Sequence, residues 1–496
     1  MQHKAITARW RSAAATATAG RVIGLTALVA GIAVTGVLTA GAATSKPAAK
    51  AKAAVPMADF NADGKADVVT SAPNGKVDGR SEAGYLTVVN GGADGSDTSK
   101  RQVVNRSSKG ISGKSALGER WGDRSVARDL DGDGATDLVV GSSDTRSGLT
   151  LVWGGKGKGL TKGAALSKDL KVSSRVFGAG DFNGDGKSDL VAGDEGGDGD
   201  QLRVLYGPFT REGAPASKAN LPSGSEFGPD KIVTGDVTGD GLDDVITTNS
   251  TEETADPTRV WKGGKEGLSD KPAEVDPAAN GTVGDVDNDG FGDLVIRTVP
   301  KKNVENLPDD HGTIKVLYGT KDGPSKSRTT TLSQKSKGVP GTNEKGDELG
   351  SALSAGDVNG DGYADIAAGL PGEDLGKGAK GRDSGAVIQL FGAKGGLKGT
   401  GAKAYHQSTA GVPGGSEAGD RFGSAVTLQD TDGDKHADLS IGAPIESGTT
   451  KEPEAGAVWT LLGTDDGLTT KGVVSYGPTA LGAPASRAGL GTSFAR

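Results

Sequence analysis

Carboxylates are the side chains of this sequence that could do chemistry, and they recur at a fixed spacing. In the stretch from Asp129 to Asp137, aspartates occupy positions one, three, five and nine, and Gly134 occupies position six. Oxygen ligands at this density suit Ca²⁺, which takes about six to eight of them in a flexible shell. Gly134 permits the positive φ of a tight turn, and the backbone carbonyl of Ala135 is a natural further donor, as in EF-hand loops. The stretch therefore predicts a calcium-binding loop.

The same nine-residue pattern occurs seven times along the chain. Each copy offers four candidate metal ligands at positions one, three, five and nine, which are Asp59, Asn61, Asp63 and Asp67; Asp129, Asp131, Asp133 and Asp137; Asp181, Asn183, Asp185 and Asp189; Asp236, Thr238, Asp240 and Asp244; Asp285, Asp287, Asp289 and Asp293; Asp357, Asn359, Asp361 and Asp365; and Asp430, Asp432, Asp434 and Asp438. Repetition on this scale is typical of stacked or radial repeats. We therefore expect up to seven bound Ca²⁺ ions.

The seven loops differ in ligand quality. Those at Asp129 and Asp285 offer four carboxylates and are expected to bind best, whereas Thr238 is a poorer third ligand in the loop at Asp236. The loop at Asp430 keeps four carboxylates but has Lys435 at the turn position, where a positive φ costs about 1 kcal/mol. Mg²⁺ fits less well than Ca²⁺, because it prefers a rigid octahedron and keeps its waters.

Two other interpretations of the loops agree less well with the pattern. Solvated Asp-Gly turns are common, but they do not hold Asp at positions one, five and nine in seven copies. An EF-hand needs a bidentate Glu at position twelve, and that position holds Thr70, Val140, Ala192, Thr247, Ile296, Ala368 and Ile441. Each loop also runs into a strand rather than a helix.

Short strands must position these loops. A strand such as Phe422–Leu428 precedes the loop, a second follows it and ends in a turn such as Gly442-Ala443-Pro444, and a third ends in Gly, as after Ala457–Leu462. A weaker fourth strand completes the unit, as at Val473–Tyr476. Seven units of about four strands predict an all-β, seven-bladed β-propeller over residues 57–496. Four tryptophans at repeat positions are expected to fill the packing between blades, namely Trp121, Trp153, Trp261 and Trp459.

The Phe-Gly and Gly-Ala-Pro residues that bracket an Asp-rich loop, as they do at Asp430, resemble the FG-GAP repeat of integrin α-subunit propellers and of related bacterial secreted proteins. The resemblance is strong in the units at Asp129, Asp357 and Asp430, and weaker at Asp181, Asp236 and Asp285, where other residues replace the Gly-Ala-Pro turn. It implies Ca²⁺ between the first two strands of a blade, in a structural role and away from the face that meets ligands. It does not imply a particular ligand.

The N-terminal region differs from the repeats. Basic residues such as Arg11 and Arg21 precede a weakly apolar run at 22–42, and Ala40-Gly41-Ala42 fits a cleavage site, so residues 1–42 are predicted to be a secretory signal peptide and 43–56 a linker. The alternative is an uncleaved anchor, because about 20 apolar residues can span a bilayer. We expect a secreted, extracellular protein without stable membrane insertion after cleavage, or one anchored by this segment.

Composition excludes several function classes. The chain has no cysteine, which excludes disulfides, thiolate zinc sites and cysteine nucleophiles. Removing residues 1–54 takes away seven basic residues and no acids, so the remainder carries 49 basic and 64 acidic residues, a net of −15. Most of this negative balance comes from the acidic residues at the ligand positions of the seven loops, where bound Ca²⁺ would neutralise it. The balance gives no support to nucleic-acid binding, which needs a basic stripe.

Catalytic motifs are scarce. The sequence contains no Gly-x-Ser-x-Gly elbow, Walker loop or His-Glu-x-x-His. His436 lies inside a metal loop, and His311 and His406 are expected to be surface polar residues. The sequence favours a monomeric, non-catalytic binding or adhesion module for a protein or glycan. The alternative is an exported propeller hydrolase or lyase acting on polysaccharide or phosphoester.

The first repeat lacks the strand that precedes the loop in every other repeat. Only linker precedes Asp59, whereas Leu490–Arg496 repeats the spacing of Leu349–Ala355. We therefore predict that residues 490–496 form the innermost strand of the first blade and close the ring, since closure protects the edges of a propeller.

Overall fold

The computed structural model describes residues 58–144, 147–195, 201–225, 227–376, 381–448 and 452–495. The predicted signal peptide and linker lie outside the described residues. Within the described residues, no helix is long and apolar enough to cross a membrane.

The described chain forms seven antiparallel sheets of three or four strands, which are the blades of a β-propeller, and one separate two-stranded hairpin. Blade 1 contains β1 (Val68–Ala72), β2 (Tyr85–Gly92) and β3 (Gly95–Val104). Blade 2 contains β4 (Trp121–Arg128), β5 (Asp137–Ser142), β6 (Thr150–Trp153) and β7 (Lys162–Ala165). Blade 3 contains β8 (Val172–Gly180), β9 (Asp189–Asp194), β10 (Gln201–Tyr206) and β11 (Ser217–Pro222).

Blades 4 to 7 repeat this order. Blade 4 contains β12 (Lys231–Gly235), β13 (Asp244–Thr248), β16 (Thr258–Trp261) and β17 (Ala273–Val275), with a small hairpin of β14 (Ser250–Thr251) and β15 (Thr254–Ala255). Blade 5 contains β18 (Ala278–Gly284), β19 (Asp293–Thr298), β20 (Ile314–Leu317) and β21 (Thr329–Leu332). Blade 6 contains β22 (Leu353–Gly356), β23 (Asp365–Leu370), β24 (Ala386–Phe391) and β25 (Lys398–Tyr405), and blade 7 contains β26 (Ala425–Gln429), β27 (Asp438–Ala443), β28 (Ala457–Leu461) and β29 (Val474–Tyr476).

The second strand of each blade shows why these sequences form buried strands. All six residues of β5 are buried, and Leu138-Val139-Val140 is a continuous apolar run rather than an alternating one. A strand that is covered on both faces has such a continuous apolar sequence. Here the two faces of the blade pack against its two neighbours, so the innermost and second strands of every blade enter interblade cores.

Seven clusters of buried apolar side chains form these cores, one at each interface between neighbouring blades. The four tryptophans singled out from the sequence are at most 3% exposed, and each belongs to one of the clusters. One cluster joins blade 7 to blade 1 and includes Val458 and Tyr476 with Val68 and Tyr85. Aromatic side chains of this size contribute strongly to such interfaces.

The C-terminal segment lies antiparallel along β1. The N–H of Ser71 donates to the carbonyl of Ser493 at 2.9 Å, and the carbonyl of Ser71 accepts from the N–H of Gly491 at 3.1 Å. Phe494 forms a bridge with Thr70 and is 6% exposed. This segment takes the place that the innermost strand holds in the other six blades. The β14–β15 hairpin and the short 3₁₀ turns at Pro300–Lys302 and Val304–Asp309 have no counterpart in the sequence prediction.

Candidate functional site

Each candidate metal loop is organised by its first and fifth residues. In the loop at Asp129, the carboxylate of Asp129 accepts the N–H groups of Gly132 at 2.7 Å and Gly134 at 3.0 Å. The carboxylate of Asp133 accepts the N–H of Ala135 at 2.9 Å. The first residue accepts from the N–H of the sixth in all seven loops, at distances of 2.7 to 3.0 Å. The shared frame explains why short polar residues and a tight turn recur at these positions.

The sixth position requires a left-handed backbone conformation. Gly134 has φ +87°, and a Cβ there would meet nothing within 4 Å, so strain rather than space favours glycine. Lys435 adopts φ +79° at the same position of the last loop. The strain expected from the sequence is therefore present in this loop.

The ninth aspartate of every loop is buried and bound by two backbone amides. Asp137 is fully buried; one of its carboxylate oxygens accepts the N–H of Leu130 at 2.9 Å and the other accepts that of Gly154 at 2.8 Å. The same pair of bonds recurs at Asp67, Asp189, Asp244, Asp293, Asp365 and Asp438. The ninth residue thus joins the start of its loop to the end of the third strand of the same blade. Each carboxylate oxygen has two lone pairs, so these bonds leave room for a cation.

Burial of the ninth aspartates alters their ionisation. Desolvation raises the pKa of Asp137 to about 7, although the two backbone N–H groups lower it. The pKa of Asp244 rises to about 6, and the pKa values of the remaining five, Asp67, Asp189, Asp293, Asp365 and Asp438, rise to about 7 from the same first cause. A nearby divalent cation would offset this cost and hold the groups ionised.

Three loops bring carboxylates from three residues close together. One oxygen from each of Asp129, Asp131 and Asp137 lies within 4.8 Å of the others, and the same is true of Asp430, Asp432 and Asp438 and of Asp285, Asp287 and Asp289. These are the loops with an aspartate at position three. In the loops at Asp59, Asp181, Asp236 and Asp357, position three holds an amide or a hydroxyl instead.

Orphaned buried oxygens at position three show that the loops fit a cation. Asn61 is 8% exposed and Asp287 is 7% exposed, and the Oδ1 atom of each is buried with no hydrogen-bond partner. Buried polar atoms without partners are rare in folded proteins. Hard oxygen donors that lack a partner are suited to Ca²⁺, so the donor set fits the metal that the sequence predicts.

Two loops carry an arginine on their carboxylates, which the sequence did not reveal. Arg211 from blade 3 approaches Asp131 at 2.6 Å and Asp133 at 2.7 Å and lies over the ring of Trp153 at 5.2 Å. Arg328 pairs in the same way with Asp287 and Asp289, and it lies over Tyr318 at 4.2 Å. The guanidinium groups partly neutralise two loops that offer four carboxylates. A cation entering either loop has to share these carboxylates with the arginine.

The three histidines outside the N-terminal region take different places. The ring of His436 lies 3.1 Å from both Asp434 and Asp465, and although partial burial lowers its pKa, these carboxylates give a net increase. His311 lies 3.3 Å from Asp310. His406 is half-buried rather than a surface residue, and burial lowers its pKa.

Backbone hydrogen bonds connect neighbouring loops into a belt. The N–H of Thr136, the eighth residue of its loop, donates to the carbonyl of Asp59 in the preceding loop at 2.9 Å. Five further loop pairs among the described residues repeat this bond, with donors Ala66, Asp243, Gly292, Ala364 and Ala437. The loops therefore lie side by side on one face of the propeller.

A channel of about 520 Å³ runs along the axis. Its wall includes the innermost strands of blades 2 to 7 and the C-terminal residues Ser493 and Phe494, with apolar side chains such as Phe177 and Ile232. Arg124, Arg175 and Lys231 line it in the parts of β4, β8 and β12 remote from the loops, together with Asp230. At the loop end it is lined by Asp236, Asp243, Asp285 and Arg128. Positive charge thus predominates at one end and negative charge at the other.

Comparison with known proteins supports the repeat assignment. The family model described as FG-GAP repeat matches residues 53–89, 349–388 and 422–461. The model described as FG-GAP-like repeat matches residues 129–192 and 181–247. These matches include every loop except the one at Asp285. No curated protein matches the chain.

Matches among solved structures include three that are 10 to 13% identical to this chain. AofleA from Arthrobotrys oligospora is 10% identical with a TM-score of 0.36, covering 71% of this chain and 86% of that one. A mutant of the same protein, with three arginines replaced by alanine, is 11% identical with a TM-score of 0.38 at the same coverage. The PQQ domain of a pyranose dehydrogenase from Coprinopsis cinerea, in its holo form, is 13% identical with a TM-score of 0.37, covering 64% of this chain and 90% of that one.

Proposed function

Because this chain is a seven-bladed β-propeller that carries FG-GAP repeats, we propose that it is an exported, calcium-stabilised binding module without catalytic activity. Its ligand is a protein or a glycan that presents negative charge to the loop-remote end of the axial channel. The module acts as a monomer outside the cell, where millimolar Ca²⁺ is available to weak sites.

The proposed role of Ca²⁺ is structural. The first, third, fifth and ninth residues of each loop would hold the ion, and it would neutralise carboxylates that otherwise repel one another. Asp129, Asp131 and Asp137 illustrate the arrangement, since their oxygens converge within 4.8 Å while Asp137 also binds two strands of its own blade. The position of the loops in a belt on one face leaves the opposite face for a ligand.

The observation that carries the binding proposal is the group of cations at the loop-remote end of the channel. Arg124 and Arg175 are exposed, Lys231 is half-buried, and the three lie on the innermost strands of consecutive blades. Asp230 offsets one of these charges. A low-dielectric wall concentrates the field of such a group and favours an anionic partner, and the apolar residues below it can receive an attached non-polar part.

The proposal is tested with the full-length exported chain in Ca²⁺, on a glycan array and in a pull-down from extracellular material. We expect a retained anionic ligand whose binding weakens as salt is raised. The double variant Arg124→Ala/Arg175→Ala should lose binding at unchanged melting temperature. A control that removes two exposed arginines outside the channel, Arg80→Ala/Arg487→Ala, should bind normally.

Two results would contradict the proposal. If the channel variant and the control bind the ligand equally well, the loop-remote end of the channel is not the ligand site. If the purified chain releases products from a polysaccharide or a phosphoester, the chain is the hydrolase or lyase that the sequence left as the alternative.

A further inference from the structure

Three of the crossovers between blades contain a largely buried polar side chain that bonds to an acidic one. These crossovers lead from the outer strand of one blade to the innermost strand of the next, and they enter blades 2, 6 and 7. The polar residue is Arg106, Gln334 or Gln407, and an acidic residue follows thirteen positions later, which is Glu119, Asp347 or Asp420. In the crossover into blade 2 a basic side chain pairs with the acid, whereas among the described residues no basic side chain pairs with the acid of the other two.

In the crossover into blade 2, an arginine neutralises the buried acid. Glu119 is 1% exposed, and its Oε1 lies 2.7 Å from Nη1 of Arg106. Its other oxygen accepts the N–H of Ala116 at 2.9 Å, and Ser147 donates to Oε1 at 2.7 Å. This carboxylate is therefore fully satisfied by groups of the chain.

The crossover into blade 7 has more negative charge and a neutral residue in place of the arginine. Asp420 is 4% exposed and accepts the N–H of Glu417 at 2.7 Å, the counterpart of the bond from Ala116. One oxygen from each of Glu417, Asp420 and Glu446 lies within 4.8 Å of the other two. Among the described residues, no basic side chain pairs with these carboxylates. Burial first, then like charges, raise the pKa of Glu446 to about 7, and burial raises that of Asp420 to about 6.

The buried side chain of Gln407 supplies a second observation that points to a cation at these carboxylates. It is 1% exposed, its Nε2 donates to Glu446, and its Oε1 is buried with no partner. A buried amide oxygen without a partner is costly. Rotation of the amide by 180° would exchange Oε1 and Nε2 and direct Oε1 at the carboxylates. This orientation is favourable only if a cation lies between Oε1 and the carboxylate oxygens.

We propose that Gln407, Glu417, Asp420 and Glu446 form a divalent-cation site that is separate from the seven Asp-rich loops. Three carboxylates and one amide oxygen are hard donors, and Ca²⁺ is the cation that accepts such a flexible set. The cation takes the role that the guanidinium of Arg106 has in blade 2. Glu446 follows β27 in the turn to β28, at the end of the blade opposite the metal loop, so the site lies on the other face of the propeller.

The crossover into blade 6 repeats the arrangement. Gln334 is 7% exposed with an unpartnered Oε1, and its Nε2 donates to Glu373 at 2.7 Å. Asp347 accepts the N–H of Glu344 at 2.6 Å, as Asp420 accepts that of Glu417. The carboxylates here do not converge as they do in blade 7, and blade 7 is therefore the site to test.

The test counts bound Ca²⁺ on the full-length chain by equilibrium dialysis with radioactive calcium. Gln407→Arg places the arginine of blade 2 in blade 7, and Glu446→Gln removes one ligand. We expect each variant to bind one Ca²⁺ fewer than the unaltered chain, and Gln407→Arg to melt higher than the unaltered chain in chelator. The control is Arg106→Gln, which replaces the arginine of the crossover into blade 2 by glutamine. The additional acids of blade 7 are absent there, so the number of bound Ca²⁺ ions should not change.

An unchanged count in both blade 7 variants would overturn the proposal and show that the carboxyls share a proton instead. If Gln407→Arg does not fold, Glu446→Gln decides alone, because it preserves the shape of the side chain.

Discussion

The N–H of Ala66 donates a hydrogen bond of 2.8 Å to the carbonyl of Asp430. The two residues belong to the first and last metal loops, so the belt of loops passes from blade 7 to blade 1. A cation that orders one loop therefore also orders a hydrogen-bond partner in the next. We expect the loops to respond to metal as coupled neighbours rather than as separate surface turns.

Chelation should destabilise the protein. Ions that bind only the native state stabilise it by mass action, by about 2.7 kcal/mol for each site at a hundredfold excess over Kd. A thermal melt in EDTA should fall well below one in millimolar Ca²⁺. Equal melting temperatures would show that the loops do not hold structural calcium.

The loops should contribute unequally. Asp131→Ala removes a charged ligand from a loop whose carboxylates converge, whereas Thr238→Ala removes a hydroxyl from a loop with fewer acids. The first variant should lose more of the Ca²⁺-dependent rise in melting temperature. Measurement of both variants with and without Ca²⁺ separates this loss from any metal-independent effect, and equal losses would contradict the ranking by ligand number.

Arg211 should compete with Ca²⁺ for the loop at Asp129. Arg211→Ala frees Asp131 and Asp133, and we expect the affinity of this loop to rise up to about fivefold, since an exposed ion pair is worth up to about 1 kcal/mol. Calorimetric titration with Ca²⁺ measures the change. Arg382→Ala is the control, because its partner Asp383 lies outside the loops. An affinity that does not change would mean that the arginine leaves the loop at no cost.

The metal-free protein should become more stable as the pH falls from about 8 to about 5.5. Burial raises the pKa of Asp67 and of five further ninth aspartates to about 7 and that of Asp244 to about 6, above the ordinary value of 3.8. Between these values the native state binds more protons than the unfolded chain, so stability decreases with rising pH. Melts in EDTA should show this trend. Saturating Ca²⁺ should remove it, because the cation keeps the carboxylates ionised, and the same slope with and without metal would argue against ninth-position ligation.

Truncation after Gly489 should cost far more than the loss of a frayed terminus. It removes the partners of Ser71 and the buried side chain of Phe494, and it exposes the edge of β1. We expect a lower melting temperature and oligomers in size-exclusion chromatography. Deletion of Arg496 alone is the control. A truncated chain that stays monomeric and melts normally would show that residues 490–496 do not close the ring.

Sequence reasoning was most successful where the information is local. The spacing of Asp129, Asp131 and Asp133 specifies one turn, and the left-handed φ of Lys435 follows from its place in that turn. The repeat of strands around each loop was enough to predict the seven blades.

It failed where contacts join distant parts of the chain. Arg211 lies 80 residues from Asp131 and comes from another blade, so no short spacing predicts the pair. The two amides on Asp137 and the neutral Gln407 among acids are also results of three-dimensional packing. The exchange of arginine for Gln407 can be seen in the sequence only when the crossovers of different blades are aligned with one another.

The pairing of Ser71 with Ser493 has a consequence for the order of folding. The two residues are 422 positions apart, the difference of their numbers, although closing so long a loop adds little free energy because its entropy grows only with the logarithm of length. The kinetic effect is larger, since contacts of high sequence separation form slowly. If the chain is exported from its N-terminus, as proposed above, blade 1 emerges first and is completed last. During that interval the edge of β1 is open, and it is there that a chaperone of the export pathway, or a second copy of the chain, would find an unpaired strand.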